Sequence, residues 1–248
     1  MHEEIIFHQK TPDIMSKKTL EKQKIIVITG ASSGIGQGLA RLFSQNNFKV
    51  ILIARNLEAM KQLKLKNMFY YQLDVTNQEK VSACVQDIEN CIGPINFWIN
   101  NAGVGFDGSF CDITHEQNNA MVDVNLKGII HCMEVILPLM QQRRSGMIIN
   151  ISSLADRVSR PNLAVYAATK AAVKSLSESL RAANAKYGIQ ICNVAPAKIQ
   201  TPLLKNSSLK QNEVISVADF AKIIFWITQQ PKEICVRDIV IAPTKYEA

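Results

Sequence analysis

A doubly wound α/β domain is the fold class this sequence predicts, and three observations predict it. Short apolar runs recur from Lys24 onward, segments with helical apolar spacing alternate with them, and the first run leads straight into a glycine-rich turn. The runs fall at residues 25–29, 50–54, 69–73, 95–100, 147–151, 189–194 and 234–241. Run 147–151 reads as a strand buried on both faces. Between the runs, residues 36–46, 78–91, 115–140, 164–187 and 217–229 repeat apolar side chains at the 3.6-residue period of a helix. Seven strands separated by helices predict a seven-stranded parallel sheet flanked by helices. A chain of 248 residues suits one such domain, with about three quarters of its unfolded surface buried.

Composition narrows the function classes. Apolar residues make up 47% and charged residues 20%, ordinary for a soluble globular protein. No apolar run reaches the roughly 18 residues of a membrane span. The longest candidate, 128–140, carries His131, Glu134 and Pro138 and reads as a core helix, so no membrane association is expected. Cys84, Cys91, Cys111, Cys132, Cys192 and Cys235 lack paired spacing and read as reduced, mostly buried thiols in a reducing, cytoplasmic compartment. His2, His8, His115 and His131 have no ligand-like spacing, so no metal is expected. The net charge of +7 is spread without a basic cluster and aromatics are only 6%, which argues against nucleic acid; an anionic cofactor accounts for part of it. Residues 1–23 are polar and aperiodic, lack a signal-peptide core, and read as a flexible arm; Met15 would make a natural alternative start.

The chemistry lies at the strand ends, where doubly wound folds place their sites. Tyr166 and Lys170 stand four apart in the 164–187 helix, on one face, and Ser153 follows the strand ending at Ile151. A phenol with a pKa of about 10 is a poor acid–base group unless tuned, and a neighbouring ammonium can stabilise its phenolate. Ser153 can then hydrogen-bond a substrate oxygen. At the first strand, Thr29-Gly30-Ala31-Ser32-Ser33-Gly34-Ile35-Gly36 opens a helix. There Gly30 takes a tight turn, Gly34 lets backbone approach a pyrophosphate at the helix N-terminus, and Gly36 packs helix on strand. About 20 residues on, where an acid would bind the ribose of NAD, stands Arg55; its guanidinium suits a 2′-phosphate and favours NADP(H) over NAD(H), with no carboxylate expected nearby to repel that group.

With this loop, Asn100-Asn101-Ala102-Gly103 after the fourth strand, and Ser153, Tyr166 and Lys170, the chain resembles the short-chain dehydrogenase/reductase family from about Lys24 to its end. The resemblance implies a Rossmann-type fold over residues 24–248 that binds NAD(P)(H), and an oxidoreductase that interconverts a ketone or aldehyde and an alcohol. It implies a catalytic quartet: Tyr166 moves the proton, Ser153 orients the carbonyl, Lys170 lowers the tyrosine pKa and contacts the nicotinamide ribose, and Asn125, interrupting a long helix, completes a proton relay. Cofactor contacts are implied for Thr29, Gly30, Ser32, Ser33, Gly34, Ile35, Gly36, Arg55, Tyr166 and Lys170. Asp74 and Val75 would hold the adenine, Asn101, Ala102 and Gly103 line the cleft, and Pro196, Ala197 and Thr201 lie by the nicotinamide.

Two departures from the family pattern stand out. Pro196-Ala197-Lys198 replaces the usual Pro-Gly after strand six, and the segment 236–244 lacks the usual glycine pair. This ending is more similar to NADP-dependent reductases of small 3-hydroxy acids and related carbonyls than to 3-oxoacyl-carrier-protein reductases, so a 3-oxoacyl thioester is the alternative substrate class. A silent dinucleotide sensor or scaffold is the alternative function. The resemblance also implies a homodimer or homotetramer, packed through the long helices. Substrate selection is expected in loops 104–113, 154–163 and 202–214, with Arg157, Arg160 and Lys205 as the cations available to an anionic substrate.

Overall fold

The protein is described by a computed structural model covering residues 23–201 and 213–246. The arm 1–22, most of the 202–214 loop with Lys205, and residues 247–248 lie outside the described residues.

Seven strands form one parallel sheet: β1 (Ile25–Thr29), β2 (Lys49–Ala54), β3 (Met68–Gln72), β4 (Phe97–Asn100), β5 (Gly146–Ile151), β6 (Ile189–Pro196) and β7 (Asp238–Ile241). Their spatial order is β3-β2-β1-β4-β5-β6-β7, so the chain reverses its direction of travel between β1 and β4. In β1, Val27 pairs with Ile51 on one side and Trp98 on the other. The two-residue period of a strand divides its apolar side chains between two layers. Ile26 and Ile28 join a core with Leu39, Phe43, Phe220 and Ile224; Ile25 and Val27 join another with Val85, Ile129, Ile136 and Val173. This double burial makes the strand runs apolar throughout.

Helices α1 (Gly34–Gln45) and α7 (Val217–Thr228) cover the first face, and α3 (Gln78–Asp87), α5 (Gly128–Arg143) and α6 (Ala164–Asn184) the second. The short helix α2 (Leu57–Lys61), which no periodicity announces, starts where the Asn56 side chain accepts from the Ala59 N–H. Helix α4 (His115–Val122) opens with a capping box, Thr114 against Gln117. The helix expected across 115–140 is not continuous. A π-turn at Asp123–Lys127 separates α4 from α5, and Asn125 sits buried in it. A second π-turn, Ile88–Ile92, closes α3 earlier than expected.

The last strand begins at Asp238 rather than at residue 234. The Gln190 side chain donates to the carbonyl of Ile234, occupying an acceptor that a ladder would use, and the Asn193–Asp238 pair is the first in register. The fourth strand likewise begins at Phe97, two residues later than expected. Three cysteines are buried (Cys84, Cys132, Cys192), but Cys91 and Cys111 are exposed, so the thiols are not mostly buried as composition suggested; all six are free.

Candidate active site

The C-terminal ends of the strands gather the expected residues along one edge of the sheet. At the β1 end, the Thr29 hydroxyl accepts from the N–H groups of Asn101 and Ala102, both at 3.0 Å. The Asn101 amide returns two bonds, to the carbonyls of Thr29 (2.9 Å) and Gly30 (3.2 Å). The glycine loop and the β4 end are thus stapled together at the point where strand order reverses. Gly30 has φ +64°, and a Cβ there would lie 2.7 Å from the Ala102 Cα, so both conformation and space require glycine. At Gly36 a Cβ would lie 2.8 Å from the Ala31 Cα, which is the close packing its position predicted.

Helix α1 begins after Ser33. Its N-cap side chain makes no capping bond and its first turn holds no acid, so the N-terminal N–H groups and the positive end of the helix dipole face outward from Ser33, Gly34 and Ile35. The carbonyl of Ser32 accepts from the Gln37 side chain. Across the sheet, Arg55 follows β2 and Asp74 follows β3. Contrary to expectation, a carboxylate does stand close: Arg55 Nη1 lies 3.7 Å from Asp74 Oδ2, a loose pair on an arginine whose side chain is 71% exposed. Asp74 is occupied at its other oxygen by the N–H and hydroxyl of Thr76. Val75 is buried, and its carbonyl binds His131 Nδ1 at 3.0 Å, giving that histidine a packing role.

The second cluster lies at the β5 end. Helix α6 is held in register on the sheet by a buried polar chain: Trp98 Nε1 donates to Asn100, Asn100 Nδ2 to Asn150, and Asn150 Nδ2 to the Ser177 hydroxyl, at 2.7, 2.7 and 2.9 Å. Each buried polar atom in that chain would be costly without its partner, so the chain fixes how α6 sits. Two turns up the helix, Lys170 is 5% exposed and donates from Nζ to the Ile151 carbonyl at 3.0 Å. Its nitrogen stands 5.7 Å from the centre of the Tyr166 ring. A Cβ on Gly103 would lie 3.3 Å from Asn125 Oδ1 and 3.7 Å from Lys170 Nζ, so Gly103 leaves open the space beside both. Asn125 donates to the Val104 carbonyl and to the Thr169 hydroxyl, and accepts from the Val104 N–H. Ser153 caps the short 3₁₀ turn Leu154–Asp156, its hydroxyl accepting from the Ala155 N–H.

The electrostatics differ from the sequence expectation in one respect. Burial raises the Tyr166 phenol above its ordinary range, and interaction with the Ser153 hydroxyl pulls the other way. Burial also lowers Lys170 to about 8, against the opposing pull of Asp156. In the protein by itself the phenol is therefore raised rather than lowered.

Beyond β6, Ala197 stands where glycine was expected and donates its N–H to the Ile241 carbonyl at 2.7 Å, so the backbone at Pro196-Ala197 is tied to β7. Thr201 ends the described stretch, just past the bridge between Ile199 and Ile215. Two of the cations offered to an anionic substrate are engaged elsewhere. Arg157 binds both Asp156 and Asp238, and Arg160 donates to the Tyr246 hydroxyl and lies over its ring. Asp156, whose side chain is fully buried, escaped the sequence reading because a lone acid after two serines carries no pattern. Among the described residues no cluster of three metal-ligating side chains occurs, and no helix is long and apolar enough to cross a membrane.

Comparison with known proteins agrees with this architecture. Residues 24–212 match the family model described as short chain dehydrogenase. An uncharacterized oxidoreductase of Staphylococcus saprophyticus is 34% identical over 239 residues, covering 90% of this chain and 97% of the relative. One of Staphylococcus aureus strain USA300 is 30% identical, covering 91% and 99%. Among solved structures, ElxO with NADP bound superposes with a TM-score of 0.82 at 29% identity, over 88% of this chain and 97% of that one. The serine dehydrogenase of Escherichia coli gives 0.82 at 26%, over 90% and 100%. The chain belongs to the short-chain dehydrogenase family of oxidoreductases.

Proposed function

We propose that the protein is an NADP(H)-preferring oxidoreductase that interconverts a small ketone or aldehyde and its alcohol, with Tyr166 as the group that moves the proton. The observation that carries this reading is the convergence of Ser153, Tyr166 and the buried Lys170 at the β5 end, beside the gap that Gly103 leaves. The residues fit a nicotinamide dinucleotide. Gly30 clears the backbone, the uncapped N-terminus of α1 offers N–H groups to a pyrophosphate, and Arg55 offers a fork to a 2′-phosphate. When bound, that group supplies or accepts the hydride.

The protein's own residues do the rest. Tyr166 gives a proton to the substrate oxygen, or takes it back in the reverse direction, and Ser153 donates a hydrogen bond to the same oxygen. Lys170 holds a positive charge beside the phenol and presents it to the nicotinamide ribose. Asn125 fixes the Val104 backbone and forms the outer end of the proton relay. Asp74 and Val75 border the adenine, Asn101 and Ala102 the cleft, and Pro196, Ala197 and Thr201 the nicotinamide.

A small 3-hydroxy acid or related carbonyl is the favoured substrate class. It is supported by the likeness to a serine dehydrogenase, serine being a 3-hydroxy acid. A 3-oxoacyl thioester is the alternative. We place the protein in the cytoplasm as a homodimer or homotetramer, with residues 24–248 as one catalytic domain and 1–23 as an arm. The alanine face of α6, which borders a cavity of about 690 Å³ with Ala164, Ala167, Ala168 and Ala171, suits close helix packing between copies.

Titrating wild type and Arg55→Ala with NADPH and NADH, by reduced-nicotinamide fluorescence, tests the cofactor reading. Tight NADPH binding that weakens in the variant supports it, and equal binding of both cofactors removes Arg55 as the selector. A protein that binds dinucleotide but turns over none of a panel of small carbonyl compounds would be the silent sensor instead.

A further inference from the structure

The most unusual charged group outside the reacting cluster is Asp156. It sits in the 3₁₀ turn after Ser153, its side chain wholly buried. Four donors from three neighbours hold it. The Ser152 hydroxyl reaches Oδ2 at 2.7 Å, Asn193 Nδ2 reaches Oδ2 at 3.0 Å, and Arg157 spans both oxygens with Nε at 2.5 Å and Nη2 at 3.1 Å. Arg157 is itself shared with Asp238 of β7, at 2.8 and 3.0 Å, and Asn193 also donates to Asp238. The cluster therefore carries two carboxylates against one guanidinium, and it leans on the strand end that holds Lys170: Ile151 accepts from Lys170 Nζ, and the next residue, Ser152, binds Asp156.

We propose that Asp156 is a positioning residue for Lys170, a fixed buried carboxylate whose charge keeps the lysine in its ammonium form beside Tyr166. The proposal rests on the role given to Lys170 above. Its physical need is plain: an ammonium in so buried a place is disfavoured, and a carboxylate tied to the next residue of the same strand end opposes that cost. Burial drives Lys170 down to about 8 and Asp156 opposes that drop. The other groups facing Lys170 supply no competing countercharge. On α6 they are Tyr166, which is neutral, and Lys174 one turn on; from the π-turn only the uncharged Asn125 reaches in, since Asp123 and Lys127 pair with each other at the surface. From β7, Asp238 is engaged by Arg157.

The two charges of the clamp make opposite predictions. Asp156→Asn keeps the shape of the side chain and removes its charge, so Lys170 deprotonates at lower pH. Arg157→Gln leaves the carboxylate unneutralised, so Lys170 deprotonates at higher pH; shifts of roughly one unit are expected. The test uses full-length protein labelled with ¹³C-lysine, following the Cε resonance that disappears in Lys170→Met as pH is raised. A downward shift in the first variant and an upward one in the second supports the proposal. Unshifted midpoints, or shifts of the same sign, overturn it. Should Asp156→Asn lose its fold by circular dichroism, the neutral pair Asp156→Asn/Arg157→Gln is compared with Arg157→Gln: a lower midpoint in the double variant supports the proposal, and an equal or higher one refutes it. Because the resonance reports Lys170 without turnover, failure here is separate from failure of the Tyr166 mechanism, which shows as full activity in Tyr166→Phe.

Discussion

The Asn125 side chain grips the backbone of Val104 from both sides, accepting from its N–H at 2.8 Å and donating to its carbonyl at 2.9 Å. A π-turn in the helix makes this possible by directing a buried amide out of the helix and into the loop after β4. Asn125 therefore ties the loop after β4 to the helix pair at the point where Gly103 lies beside Lys170. Asn125→Ala leaves two backbone groups without partners and is expected to cost about 1–3 kcal/mol of stability. Its turnover is expected to fall further than dinucleotide affinity. Urea unfolding together with kcat and Kd checks both.

Gly30→Ala asks an alanine to adopt φ +64° with its Cβ 2.7 Å from the Ala102 Cα. The conformational cost alone is about 1–2 kcal/mol, and the steric conflict pushes apart the staple between the glycine loop and Asn101. Lower thermal stability and weakened NADPH binding are expected together. A variant with wild-type Tm and Kd would show that this turn is not under the constraint described.

Lys170 gives a pH signature of stability. Its folded pKa, about 8, lies below the ordinary value of 10.5. Between these two values the unfolded chain holds the proton more often than the native protein, so this lysine's contribution rises with pH and is lost as pH falls through about 8. Wild type should gain stability relative to Lys170→Met between pH 8 and 10. Above pH 10 the raised phenol of Tyr166 acts in the opposite sense. Chemical denaturation of both proteins across this range measures the difference, and parallel curves would contradict it.

Much of this was legible in the sequence because the central strands are buried on both sides, which writes them as unbroken apolar runs; β1 matches its expected limits at both ends. Element limits depart from the apolar pattern where side chains compete with the backbone. Gln190 takes the Ile234 carbonyl and delays β7, and Asn56 caps a five-residue helix too short to show a period. In the site, Tyr166, Lys170, Ser153 and the glycine loop were legible because each depends on local spacing. Asp156 was not, since its partner Asn193 comes from a strand far along the chain. The pairing of Arg55 with Asp74 was hidden for the same reason, as it joins the ends of two different strands.

In the proposed reaction the Tyr166 hydroxyl carries the proton. Tyr166→Phe removes one oxygen and keeps the ring, so fold and dinucleotide binding should persist. NADPH affinity within about twofold of wild type, with turnover of a reducible carbonyl down roughly a hundred- to ten-thousandfold, is the predicted result. Wild-type turnover in the variant would contradict the account.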